Sequence, residues 1–206
     1  MTRHLLPSLL VMSCALLSAC SILPKSEELD IYQLPTKVAV ANTSQAGVPW
    51  SLRVSKPLAS QLLDSTRIAV LPEGDRISAY KGVRWSDRAP VLLRDRLIEA
   101  FLQDGRMAAV SSDTSRLQSD LELVTDLRAF QSEYRDGQPQ VHLVLDAKLV
   151  NGGTQRILVS ERFDVRQASA DASVPAVVRA FGQAADQLSE QVVQWSLRQS
   201  ERLPRP

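Results

Sequence analysis

Three stretches in the C-terminal half of the chain alternate apolar and polar residues strictly enough to restrict its fold. Leu121, Leu123, Leu127 and Ala129 stand against Glu122, Asp126 and Arg128. Val141, Leu143, Leu145, Ala147 and Leu149 stand against His142, Asp146 and Lys148. Ile157, Val159, Phe163 and Val165 stand against Arg156, Arg162 and Asp164. A period of two means strands with one face buried and one face wet. The connections Arg135-Asp136-Gly137-Gln138-Pro139 and Asn151-Gly152-Gly153 carry hairpin chemistry, so the three strands form an antiparallel meander. A wet-faced sheet needs a cover for its other side. Val174, Val177, Val178, Phe181, Ala185, Leu188, Val192 and Trp195 recur at three- and four-residue spacing and predict a long amphipathic helix, with Ser173 as cap, Pro175 in its first turn and Gly182 as a weak point.

The upstream half reads as shorter pieces. Trp50–Val54, Arg67–Leu71, Arg76–Tyr80 and Arg106–Val110 are strand candidates, and Leu58–Leu63 is one helical turn or an irregular link. Leu93, Leu97, Ala100 and Phe101 predict a first helix, with Asp87 as N-cap and Asp104-Gly105 as its stop. In that helix Arg94 and Arg96 flank Asp95 and read as solvated. The resulting expectation is an α+β fold of two layers: an antiparallel meander sheet with two main helices packed on one face. Residues 50–198 make a single domain and residues 199–206 a polar tail that frays.

The N-terminus reads as a processed leader. Arg3 is followed by a mostly apolar stretch, Leu5 to Leu17, that Pro7, Ser8 and Ser13 interrupt. It is too short for a comfortable membrane span and has the layout of a secretory signal peptide over residues 1–19. Its ending, Leu17-Ser18-Ala19-Cys20, resembles the bacterial lipobox. That resemblance implies cleavage between Ala19 and Cys20, an S-diacylglycerol on the Cys20 thiol and an N-acyl chain on the new amino group. Two or three acyl chains anchor a protein stably where one does not. Ser21 rather than Asp follows the cysteine, which by analogy with Gram-negative sorting favours the outer membrane over the inner. The mature chain of 187 residues then has no other cysteine, since Cys14 leaves with the leader, and no disulfide can form. Residues 20–49 form the lipidated end and a tether, with a short strand possible at 31–34.

Lys plus Arg number 24 against 23 Asp plus Glu, a balance that gives no footprint for nucleic acid. His142 is the one histidine left after processing, which excludes a metal site or triad that needs two. No phosphate loop of Walker type and no G-x-S-x-G elbow occurs, so no catalytic residues are assigned and the chain is expected to be no enzyme and to need no cofactor beyond the lipid. His142 and Asp146 share a strand face and read as a surface pair. One segment is less bland: Tyr80, Lys81, Arg84, Trp85 and Asp87 crowd aromatic and charged groups ahead of a helix. Either Trp85 plugs the core and Arg84 pairs with a carboxylate, or Tyr80, Arg84, Trp85 and Asp87 form a partner-docking surface, since Trp, Tyr and Arg are enriched at interface hot spots.

With the lipobox, the runs D-I-Y-Q-L-P at Asp30, L-R-V-S-K-P at Leu52, R-I-A-V-L-P at Arg67, I-S-A-Y-K-G-V-R-W-S-D at Ile77 and the helix end Ala100-Phe101 resemble the ABC-type transport auxiliary lipoprotein family. The likeness covers most of the mature chain; the Thr36–Pro49 loop is longer than the pattern. The resemblance implies a non-enzymatic lipoprotein that accompanies an MCE-domain protein, a permease and an ATPase in moving lipids between the two membranes. A sheet edge or the Tyr80–Asp87 loop would contact the MCE protein. The alternatives are a scaffold or activator for a periplasmic cell-wall or lipopolysaccharide enzyme, and, more weakly, direct lipid carriage.

Overall fold

The computed structural model describes residues 29–36 and 46–203. Ala19, Cys20 and the leader lie outside the described residues, as does most of the Thr36–Pro49 loop. Ten strands and two helices follow: β1 Asp30–Tyr32, β2 Val48–Val54, β3 Leu58–Ala59, β4 Ala69–Glu73, β5 Arg76–Ala79, β6 Val83–Trp85, α1 Ala89–Asp104, β7 Met107–Ser112, β8 Leu121–Arg135, β9 Gln138–Asn151, β10 Ile157–Ala168 and α2 Val174–Ser200.

The long strand β8 is the spine. One of its edges pairs antiparallel with β9 along its whole length, and β9 pairs antiparallel with β10. The other edge carries three short strands laid end to end. β2 pairs at Leu121–Leu123, β3 at Asp126–Leu127 and β4 at Gln131–Glu133, all parallel to β8. β7 adds parallel to β2, and β5 closes a hairpin on β4. The sheet is therefore mixed, and the expected meander is its β8–β9–β10 half. Hydrophobic periodicity reports which face a residue takes but not strand direction. Parallel neighbours need a crossover, and the long excursion through α1 supplies it. β1 pairs parallel with β6 in a separate two-stranded ribbon.

The apolar face is one core. Leu121, Leu123, Leu143, Leu145, Leu149 and Phe163 meet Leu93, Leu97 and Phe101 of α1 and Val177, Phe181, Leu188, Val192 and Trp195 of α2. At ~1.5 kcal/mol or more per buried large side chain, this stripe dominates the stability of α2. A bulge at Arg128 shifts the register between Leu127 and Ala129. Phe130 enters the core in place of Ala129, which goes to the opposite face beside Val144. Gly105 at φ 74 ends α1. Asp87 does not cap α1: Arg88 takes the N-cap position, and the Asp87 carboxylate accepts from the Arg88 N–H at 2.6 Å. Ser173 does cap α2, accepting from the Ala176 N–H. The helix runs on to Ser200, into the polar tail read from residue 199. Trp50 Nε1 donates to the Ser200 carbonyl at 3.0 Å and holds the end of α2 down.

Candidate functional site

The Tyr80–Asp87 segment does not sit at the surface as a unit. Gly82, at φ 70, turns the chain from β5 into β6. β6 is then pinned from both sides: Asp30 N–H donates to the Gly82 carbonyl at 3.0 Å, Ser86 N–H to Tyr32 at 2.8 Å and Trp85 N–H to Thr66 at 2.7 Å. The alternation along β6 sends Trp85 inward. It is fully buried and packs edge-on against Phe181 at 5.2 Å and Phe130 at 6.1 Å. The Trp85 ring therefore plugs the core and is not available to a partner. Tyr80 is half-buried, and its hydroxyl donates to Ser132 Oγ at 3.2 Å. Burial is the main reason its pKa is pushed up to about 12. Arg84 is half-buried, with its Nε unpartnered, and the carboxylate expected beside it is absent among the described residues. Asp87 is exposed.

The same region holds a strap that the sequence reading missed. Residues 33–36 continue from β1 across the two helices. Arg96, only 6% exposed, donates to the carbonyls of Leu34, at 3.2 Å, and Pro35. Its guanidinium also pairs with Asp186 at 3.2 Å and Glu99 at 3.6 Å. Arg94 is likewise not solvated; it pairs with Asp95 at 2.8 Å and Asp113 at 3.1 Å. The strap crosses α2 at Gly182, where an added Cβ would meet the Pro35 carbonyl oxygen at 2.7 Å. Gly182 is thus a notch for the strap rather than a flaw in the helix. The signal for Arg96 lay in its spacing: it stands three residues after Leu93 and four before Ala100, on the apolar stripe.

The uncovered face of the meander is a lattice of ion pairs. Asp146 accepts from Arg162 at 2.5 and 2.9 Å and from Arg128 at 2.8 Å. The Arg162 hydrogen bonds, against slight desolvation and with help from Arg128, bring its carboxyl down to about 2. His142 lies between Glu133 at 2.7 Å and Asp164 at 3.0 Å, so it does not pair with Asp146. Burial would raise the Glu133 carboxyl, but hydrogen bonds from His142, Gln131 and Arg166 leave it lowered. Beyond this lattice, β10 pairs only with β9 among the described residues, which leaves its outer edge from Ile157 to Ala168 without a strand partner there. A cleft of about 550 Å³ runs between that edge and α2, lined by Glu161, Arg162, Phe163, Glu190, Trp195 and Arg198 among others. Among the described residues no group of three or more His, Cys, Asp or Glu side chains could hold a metal, and no helix is long and apolar enough to cross a membrane.

The structure is thus a two-layer α+β domain strapped at its N-terminal end, with a charged sheet face and an edge strand, β10, paired on one side. The chain belongs to the family of ABC-type transport auxiliary lipoprotein components, whose model matches residues 32–193. The crystal structure of a Xanthomonas campestris protein is similar at 33% identity and a TM-score of 0.77, covering 84% of this chain and 97% of that one. A second solved structure, of an uncharacterized protein, shares the fold at 16% identity and a TM-score of 0.65, over 82% of this chain and 99% of that one. An uncharacterized protein of Bradyrhizobium diazoefficiens is 27% identical over 148 residues, which is 71% of this chain but 39% of that relative's length.

Proposed function

We propose that this protein is a lipid-anchored, non-enzymatic component of an MCE-type ABC transport system that moves lipids between the inner and outer membranes. On this reading Cys20 carries the N-acyl and S-diacylglycerol chains, and the domain sits on the periplasmic face of the outer membrane. The observation that carries the reading is the match to the auxiliary lipoprotein family over residues 32–193, joined to the Leu17–Cys20 lipobox. Confinement to a leaflet raises the effective concentration of a docking domain for a partner that reaches that membrane.

Docking falls to the surfaces that are open. Trp85 is withdrawn from it by burial, leaving Tyr80, Arg84 and Asp87 as the partly or fully exposed candidates of that segment. The outer edge of β10 offers twelve residues of backbone that an extended segment of an MCE protein can pair with. The charged lining of the adjoining cleft is no sheath for an acyl chain, which favours docking over direct lipid carriage.

The test is purification of the full-length protein from its native membranes in mild detergent, followed by mass spectrometry. Recovery of an MCE-domain protein with its permease or ATPase is expected. Recovery of a cell-wall synthase or a lipopolysaccharide assembly protein instead makes the chain a scaffold for envelope assembly and overturns the transport role. Exported on a leader that is cleaved without lipidation, the Cys20→Ser chain should leave the membrane fraction; if it remains there, the lipid anchor is overturned.

A further inference from the structure

Exposed large apolar side chains are not spread evenly. Five of the eight among the described residues fall between residues 29 and 77: Leu29, Ile31, Leu58, Leu62 and Ile77. Scattered singly they would need no explanation. Leu62 and Ile77, however, line one cleft of about 390 Å³ with Ala69, Ala79 and Arg67, beside the β4–β5 hairpin. Leu58, 64% exposed, lies four residues before Leu62.

This patch lies at the end of the domain where the tether arrives. The Asp30 N–H is bonded to the Gly82 carbonyl, and the Tyr80 N–H to that of Ile68. Ile77 is five residues from Gly82, so at most ~18 Å of chain separates the cleft from the start of β1. Cys20 is ten residues before Asp30, which places this end within ~35 Å of whatever holds Cys20. The other end of β8, by Leu117 and Leu121, is further away by ~35 Å of strand, judged from the pairing of β4 with Gln131–Glu133.

We propose that Leu62 and Ile77, flanked by Leu58, Leu29 and Ile31, form a membrane-docking face that rests on the phospholipid leaflet holding the chain's own lipid. The proposal rests on the Cys20 anchor. Arg67, Arg76, Lys81 and Arg84 are offset locally by Asp30, Glu73 and Asp75, so the apolar side chains carry the contact. Arg67, Arg76 and Lys81 make no ion pair among the described residues, and their long stems can lie along the apolar surface while their heads reach phosphate. The anchor supplies the local concentration, so even a small apolar contact suffices to orient the domain. Docked this way, the domain points β7 and the Leu117 end away from the leaflet.

The chain's only cysteines are Cys14 and Cys20, so a processed, lipidated protein has no free thiol and a single introduced cysteine is a unique probe. Full-length lipidated protein with Leu62→Cys or Leu117→Cys is reconstituted on phosphatidylethanolamine–phosphatidylglycerol vesicles. Maleimide labelling is then measured, with each rate normalised to the same variant in solution, made without residues 1–19 and with Cys20→Ser so that neither Cys14 nor the lipid is present. A face docked nine-tenths of the time slows labelling at Leu62→Cys about tenfold and leaves Leu117→Cys unchanged. Adding Ile77→Glu restores the rate at position 62. Equal rates at the two positions on vesicles overturn the proposal, as does protection that follows protein density rather than lipid, which would indicate a second copy. Flotation of the wild-type chain reads the anchor separately. A chain that floats with unprotected Leu62→Cys loses only the docking face, and one that does not float loses the anchor and the face together.

Discussion

The two halves of the domain hold together by different means. From Leu121 to Ser200 three strands of 15, 14 and 12 residues pair along nearly their whole lengths, and a 27-residue helix covers their apolar face. From Asp30 to Ser112 seven strands of two to seven residues pair over short stretches and are tied in by a few specific contacts. Trp85 fixes β6 in the aromatic cluster, Arg96 grips the strap, Gly182 admits Pro35, and Trp50 ties β2 to the last turn of α2. Long elements distribute their stabilisation over many modest contacts. Short strands make fewer contacts of their own, so a single buried group weighs more in placing them.

The largest expected effect is therefore in the N-terminal half. Trp85→Ala should cost about 3–5 kcal/mol in denaturant unfolding, because it empties the site between Phe130 and Phe181. A loss of a few tenths of a kcal/mol would mean that the ring packs loosely, and would return it to the list of docking residues. Arg96→Met should cost about 1–3 kcal/mol, since the methionine fills the volume but leaves the Leu34 and Pro35 carbonyls without a donor. Hydrogen exchange should rise at β1 and β6 in that variant while the β8–β9 amides keep their protection. Uniform loss of protection would break the distinction between the halves.

Gly182→Ala sharpens the same point, because two effects oppose. Alanine is worth up to about 1 kcal/mol more than glycine inside a helix. Its Cβ, however, would stand 2.7 Å from the Pro35 carbonyl oxygen and 2.9 Å from the Pro35 Cβ, so backbone must move. The expected outcome is a strap cut rapidly by protease at residues 33–36, with global stability changed by less than about 1 kcal/mol. A strap as resistant as in the wild type would show that α2 and the strap separate easily.

What the sequence made legible follows the same division. Strict alternation over residues 121–165 placed the meander, and the three-and-four stripe placed α2, because those signals repeat many times. The bulge was not read: the alternation put Ala129 on the core face, and the structure turns its neighbour Phe130 inward instead. Parallel pairing of β2, β3 and β4 was not legible, since direction depends on the path of the chain between strands. Asp87 looked like a cap by type and position, but the backbone enters α1 one residue later, at Arg88. In the Tyr80–Asp87 segment residue type pointed two ways at once, because tryptophan is favoured both in cores and in interfaces. Only the pairing of β6 with β1 decided which way Trp85 faces.

The uncovered sheet face should yield the smallest effect, although it has the densest charge. Asp146 is hydrogen-bonded by Arg162 and Arg128, and its carboxyl is held at about 2 against an ordinary value near 3.8. A depressed carboxyl stabilises the folded state fully above its unfolded value and loses that contribution as pH falls through the folded one. The Asp146 contribution is thus intact at neutral pH and disappears between about pH 4 and pH 2. Its partners are open to solvent, so screening reduces the effect, and Asp146→Asn should cost less than about 1 kcal/mol at pH 7. Unfolding curves of the two proteins should converge below about pH 2 and at high salt. A gap that persists in molar salt would mean that Asp146 acts through packing, and that this face is organised like the core opposite it.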